Sequence, residues 1–215
     1  MSIAIARIIA SSLLVYPDQK YVEARDEMIA LANHIEPALA EPFKAFFNAT
    51  AYLTLEDIQK PYVEIFDMRR RCSVFLTSWT HGDTRNRGMA LVYFKEIYKR
   101  CGVTITDEEL PDHLAVVLEF AALKNPDEGS LLLGEHRAPI ELLRDSLHSA
   151  NSYYAFVLDA VVATLPRMTP EIEKRARDLA ITGPPQEFVG LSGAVTIAIE
   201  PFSSHGSDIL QGARS

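Results

Sequence analysis

Between Tyr62 and His113 the chain concentrates the side chains whose types could do chemistry: Glu64, Asp67, Arg69, Arg70 and Arg71, then His81, Asp83, Arg85 and Arg87, then Glu109, Pro111, Asp112 and His113. Those types suit molecular recognition: guanidinium forks for anions, carboxylates for cations, and a titratable imidazole. Catalysis needs a more specific grouping. The sequence holds no GxSxG, no HExxH, no glycine-rich phosphate loop and no dinucleotide fingerprint. His81 and Asp83, two positions apart, would hold a metal only with ligands brought from elsewhere, and Cys72 and Cys101 form no CxxC. Arg69, Arg70 and Arg71 lie close in sequence to Glu64, Asp67 and Asp83, so mutual pairing is favoured over a phosphate site. In the turn from Glu108 to His113, Pro111 suits the first position of a helix and Asp112 its positive end. Ordinary helix initiation accounts for that turn. A rigid acidic turn also suits contact with a cationic peptide, tuned by protonation of His113.

The elements that must position these residues read as helices. Ile5, Ile8, Ile9, Leu13 and Tyr16 share a face at helical spacing, and Tyr21, Ala24, Met28, Leu31 and Ile35 mark a second amphipathic helix. Residues 2–16 are short and apolar like a secretory signal, but they lack a basic start and carry Arg7 inside the run, which argues for a first core helix. Pro37 and Pro42 are expected to bracket a short segment ending in Phe43, Phe46 and Phe47. Thr54 with Asp57 three residues later is a capping signal for a helix running into Tyr62 and Phe66. Asp83 or Thr84 is expected to cap the next helix, whose inner side is Ala90, Phe94, Ile97, Tyr98 and Cys101 and whose stop is Gly102. Residues 114–123 carry one charge, Glu119, so a central helix is expected there, with Glu119 buried and paired to Arg70 or Arg71. Leu133, Ile140, Leu143 and Leu147 continue the pattern, residues 153–165 supply another helix ended by Pro166, and Pro170 opens a last exposed one.

The fold class that follows is all-α: a single-domain helical bundle over residues 1–182 with an extended or partly disordered C-terminal tail over residues 183–215. The tail mixes Gly, Pro and Ser with one apolar run, residues 195–199, which is expected to pack along the body. A chain of 215 residues can bury a substantial core, and no apolar run is long enough to span a bilayer. The formal charge of −8, from 29 acidic and 21 basic side chains, works against a nonspecific grip on nucleic acid. Two cysteines fit free thiols in a reducing cytoplasm.

The cluster Tyr62-Val63-Glu64, Phe66-Asp67, Arg70, Gly82-Asp83-Thr84-Arg85, Arg87-Gly88 and Glu109-Leu110-Pro111-Asp112-His113 resembles the respiratory nitrate reductase assembly chaperones, the NarJ-type or delta-subunit family. The likeness runs from the segment Leu14 to Pro17 as far as Glu200-Pro201-Phe202, is densest from Tyr62 to Leu123, and resumes in Leu132 to Leu143, with Glu135-His136-Arg137, and in Tyr154 to Pro166, while Ile65 and Trp79 depart from the pattern. The resemblance implies an all-helical cytoplasmic accessory protein, not an enzyme, that needs no cofactor of its own. Its partner would be the catalytic (alpha) subunit of respiratory nitrate reductase, bound at its N-terminal segment while the molybdenum cofactor and iron–sulfur clusters are inserted. Molybdenum cofactor biosynthesis proteins are further candidate partners. The partner-binding residues implied are Tyr62, Glu64, Asp67, Arg70, Asp83, Arg85, Glu109, Pro111, Asp112 and His113. A chaperone for another molybdoenzyme, such as a trimethylamine oxide or dimethyl sulfoxide reductase, would share the fold. A helical-bundle enzyme is the distant alternative.

Overall fold

The first helix, α1 (Ser2–Leu13), lies in the middle of the molecule, packed along α7 (Leu114–Leu123) and α10 (Tyr154–Ala163). The computed structural model describes residues 1–82, 84–105, 109–167 and 169–182, and the predicted tail with its apolar run falls outside them. Around that centre stand α2 (Gln19–Ala32), α3 (Pro37–Ala49), α4 (Leu55–Tyr62), α5 (Leu76–His81), α6 (Arg85–Arg100), α8 (Pro126–Glu135), α9 (Arg137–Ser149) and α11 (Pro170–Thr182). A π-helical turn (Val63–Asp67) extends α4, and a 3-10 turn (Arg70–Cys72) follows it. The described residues hold no strand, so the all-helical expectation is met.

Local signals act where their partners are near in sequence. Thr54 caps α4 by accepting the Asp57 N–H, and the Asp57 carboxylate accepts from the Thr54 N–H at 3.1 Å, a complete capping box. Gly102, at φ +74°, closes α6: Val103 N–H reaches the Tyr98 carbonyl at 2.9 Å and Gly102 N–H that of Lys99 at 3.0 Å. Pro42 does not break its helix, contrary to the sequence expectation. It sits early in α3, and the removed N–H would have served the carbonyl of exposed Ala38, which water can satisfy. Burial of Phe43, Phe46 and Phe47 in the next turn holds the segment helical.

An aromatic cluster fills the junction of α3, α4 and α10. Tyr62, Phe66 and Tyr154 meet edge to face or tilted, with centroids 4.8–5.8 Å apart, and Phe46 reaches Tyr154 at 5.6 Å. On the other side Gly129 of α8 lies against Ala121 of α7 so closely that an added Cβ would fall 2.3 Å from the Ala121 Cα.

Arg7 is buried in this core. Its guanidinium donates to the Ala121 carbonyl, the Ser130 hydroxyl at 3.1 Å and the Thr164 carbonyl at 3.2 Å, and burial lowers its pKa from the usual value. In α9 Arg137 pairs with Glu141 at 2.9 Å and also donates to the Pro166 carbonyl, while Arg144 takes the second Glu141 oxygen at 3.0 Å. Tyr16, expected on the first helix's inner face, lies beyond α1 and is half exposed. Glu119 corrects a second expectation. It is exposed, because α7 turns one edge to solvent at Glu119 and Leu123, so its carboxylate needs no buried partner.

Candidate functional site

The turn before α7 is fixed by a short antiparallel zip. Leu76 N–H donates to the Asp112 carbonyl at 3.0 Å and Leu114 N–H to the Val74 carbonyl at 2.9 Å, around a single bridge between Phe75 and His113. The zip holds His113 in extended conformation, so α7 begins at Leu114 with His113 as its cap. Pro111 is therefore not the first residue of a helix, as its type suggested; it is buried in the turn, and its carbonyl accepts the Tyr98 hydroxyl at 2.8 Å. The His113 Nδ1 accepts the Ala115 N–H at 3.1 Å, which assigns the neutral ring's proton to Nε2. Burial pulls the His113 pKa down, and neighbouring Asp112 opposes that.

Asp112 was expected at the surface, at the positive end of α7. It is fully buried instead and serves a different helix. Its Oδ2 accepts the Thr77 N–H at 3.1 Å and the Thr77 hydroxyl at 2.5 Å, capping α5, whose own preceding residue Phe75 supplies no side-chain cap. Its Oδ1 has no hydrogen-bond partner among the described residues.

Phe75 links this turn to a cleft. Its ring meets His113 edge to face at 5.2 Å and lies under the Arg87 guanidinium at 5.6 Å. The cleft measures about 310 Å³ and is lined by Phe66, Asp67, Arg69, Arg70, Phe75 and Arg87, among others. A second cleft of about 520 Å³ shares Arg69 and Arg70 with it and is lined further by Arg71, Trp79 and, from α9, Leu142, Ser146 and Ser149. The 3-10 turn is thus a shared arginine wall between two aromatic-floored recesses. Cys72 on that turn is no nucleophile: burial raises its thiol pKa, and Arg69 offsets this only in part.

The structure brings Asp67, Arg70 and the Pro111–His113 turn into one region and leaves other candidates apart. Tyr62 faces the core, where its hydroxyl donates to the Leu14 carbonyl at 3.0 Å, so it acts as a strut in place of the expected surface contact. Glu64, Asp67, Arg70, Arg85 and Glu109 are exposed, and Asp83 lies outside the described residues. Thr84 precedes α6 without capping it; its hydroxyl donates to the His81 carbonyl at 2.7 Å. The His81 Nδ1 is occupied by the Thr80 hydroxyl at 2.8 Å, and no group of three metal-capable side chains occurs among the described residues. The sequence reading missed Thr77 and Phe75 and noted Trp79 only as a departure. The one usable signal was that Trp79 is the single tryptophan.

Comparison with known proteins places this architecture. The family model described as nitrate reductase delta subunit matches residues 31–158. The nitrate reductase-like protein NarX of Mycobacterium tuberculosis is 37% identical over 155 residues, which are 72% of this chain but 23% of NarX, so the chain spans about a quarter of that relative's length. The nitrate reductase molybdenum cofactor assembly chaperone NarJ of Escherichia coli is 31% identical over 158 residues, 72% of this chain and 67% of NarJ. A Bacillus subtilis protein assigned as NarJ is 30% identical, with 85% of its length covered. The fold resembles that of a proposed redox enzyme maturation protein from Archaeoglobus fulgidus, with a TM-score of 0.56, 23% identity, and coverage of 74% of this chain and 91% of that one. The matched span takes in the arginine wall, the zip, α7 and the first half of α10, more than half of the chain, and on that breadth the chain belongs to the nitrate reductase delta subunit family.

Proposed function

We propose that the chain is an assembly chaperone that binds the apo catalytic subunit of a respiratory nitrate reductase at its N-terminal segment. Holding that segment keeps the subunit open for molybdenum cofactor and iron–sulfur cluster insertion and delays docking on its membrane anchor. The observation that carries this is family membership over residues 31–158, together with the NarJ relatives covered across two thirds or more of their length. The work is binding, so the chain itself catalyses nothing and holds no cofactor. Its place of action is the cytoplasm, as for the chaperones it resembles; no helix among the described residues is long and apolar enough to cross a membrane.

The exposed candidates Glu64, Asp67, Arg70, Arg85 and Glu109 form the client-facing set, with Asp83 as a further member. Pro111, Asp112 and His113 support that surface from behind, and Tyr62 anchors it to the core. An amphipathic client segment lays its apolar side between helices and its charged side against these residues. Release must follow, which suits a micromolar dissociation constant, about −8 kcal/mol.

Calorimetric titration of the full chain tests this, with the N-terminal peptide of the nitrate reductase catalytic subunit beside the leader peptide of a dimethyl sulfoxide reductase. Saturable binding of the first alone is expected. Preference for the second would assign the chain to another molybdoenzyme.

A further inference from the structure

The second cleft carries a recognition chemistry opposite in sign to the chain as a whole. Its floor holds Trp79, which is 3% exposed and whose indole N–H finds no acceptor among the described residues. An indole nitrogen can only donate, and a buried donor left unmade is costly, so this group calls for an acceptor. Arg69 and the 3-10 turn that follows it bring Arg69, Arg70 and Arg71 into the same lining. Guanidinium also only donates, in a planar fork that matches a carboxylate. The α9 part of the lining offers the Ser146 and Ser149 positions and Asp145, whose carboxylate lies 3.5 Å from Arg144. Leu142 makes part of the wall apolar.

We infer that this cleft binds an acidic peptide segment, with a carboxylate side chain taken by Arg69, Arg71 and the Trp79 indole N–H and a neighbouring apolar side chain seated against Leu142. A small inorganic anion would satisfy the donors and leave the apolar wall uncovered. A peptide satisfies both, and its backbone presents donors and acceptors to the serine rim. Charge favours the same occupant. The chain carries a net −8, so an acidic segment is repelled over most of the surface and drawn to the arginine wall. The adjoining cleft, which shares Arg69 and Arg70 and is floored by Phe66 and Phe75, gives such a segment a second recess across the wall. This surface follows from its own chemistry and does not depend on which client the chain serves.

Trp79 is the only tryptophan and lines this cleft, so the tryptophan fluorescence comes from the cleft itself. The full chain is titrated with a short peptide alternating Glu with Leu, with the same peptide carrying Gln for Glu, and with inorganic pyrophosphate. The acidic peptide is expected to shift Trp79 emission saturably and more weakly as salt rises, with the amide peptide binding at least about tenfold less tightly. Arg69 and Arg71 are exposed, so R69Q/R71Q should keep the far-UV spectrum and melting temperature while weakening the acidic peptide by about a hundredfold, tenfold per charged contact. W79F, followed by calorimetry, keeps an aromatic ring of smaller size, loses the donor and should weaken binding by about tenfold. Equal binding of the Glu and Gln peptides would overturn the assignment, as would an unchanged affinity in a folded R69Q/R71Q. Saturation by pyrophosphate without saturation by the peptide would also overturn it and make the cleft a phosphate site.

Discussion

Replacing Thr77 by Val tests whether the buried Asp112 cap holds the cleft floor in place. Both residues are fully buried, and the Thr77 hydroxyl donates to a carboxylate oxygen at 2.5 Å, within the short range of O–H···O⁻ bonds. Valine keeps the shape and the β-branch but offers no donor. Asp112 would then keep only the Thr77 N–H, at 3.1 Å on the same oxygen, because its other oxygen already lacks a partner. A hydrogen bond to a charged group contributes about 1.5–3 kcal/mol, and the stranded carboxylate places the loss near the upper end, so about 2–3 kcal/mol is expected. For a chain of this size that lowers the melting temperature by roughly 4–12 °C. The assay is urea unfolding followed in parallel by far-UV circular dichroism and Trp79 emission. Trp79 sits on α5, so its transition should move at least as far as the helical signal. D112N combined with T77V should cost less than the sum of the two single changes, since the pair acts as a unit. A T77V midpoint within about 0.5 kcal/mol of the parent, the usual range for surface changes, would refute the idea that this cap is structural.

Other expectations follow from the packing. Glu141→Ala leaves the buried Arg137 with the Pro166 carbonyl alone and Arg144 with Asp145 and Asp159, so it should destabilise by about 3 kcal/mol in thermal melts, against under 1 kcal/mol if the pair were solvated. Gly129→Ala forces a Cβ to within 2.3 Å of Ala121, so α7 and α8 must part at a cost of about 1–3 kcal/mol; adding Ala121→Gly should recover part of it. Burial depresses the pKa of His113 and of His136, so below the usual 6.5 the unfolded chain takes up protons that the folded chain refuses. Stability is therefore fully present above 6.5 and falls as the pH drops below it. His113→Asn keeps a capping oxygen for the Ala115 N–H and should flatten that fall by up to about 1.4 kcal/mol per pH unit, measured from unfolding midpoints; an identical slope would sink it.

What the sequence revealed depended on the distance over which each interaction acts. Thr54 with Asp57 and Gly102 after α6 were readable because their hydrogen bonds close within a few residues. Asp112 was misplaced for the opposite reason. Two residues before α7 it looks like a first-turn acid, yet its partner Thr77 lies 35 positions upstream, and no local pattern encodes that pairing. Glu119 was misjudged because a nearly uncharged stretch does not say which edge meets water. Pro42 misled because a lost N–H matters only if its acceptor is buried, which composition cannot tell. The surface candidates Glu64, Asp67, Arg70, Arg85 and Glu109 were legible as charges at turns. The cleft beside Arg70 was not, since it depends on Trp79 and α9 arriving at the same place.

The position of α1 also sets a timetable for making the molecule. Its Arg7 and Ser11 bond to groups 104 to 157 residues further along the chain. At a synthesis rate of about 5–20 residues per second, the last of those partners emerges roughly 8–30 s after Arg7. Through that interval Ile9 and Leu13, which end up under the core, have no inner surface to cover them. A ribosome stalled before Thr164 would release a chain lacking the seat of its first helix, so premature termination late in the message damages the beginning of the protein as much as its end.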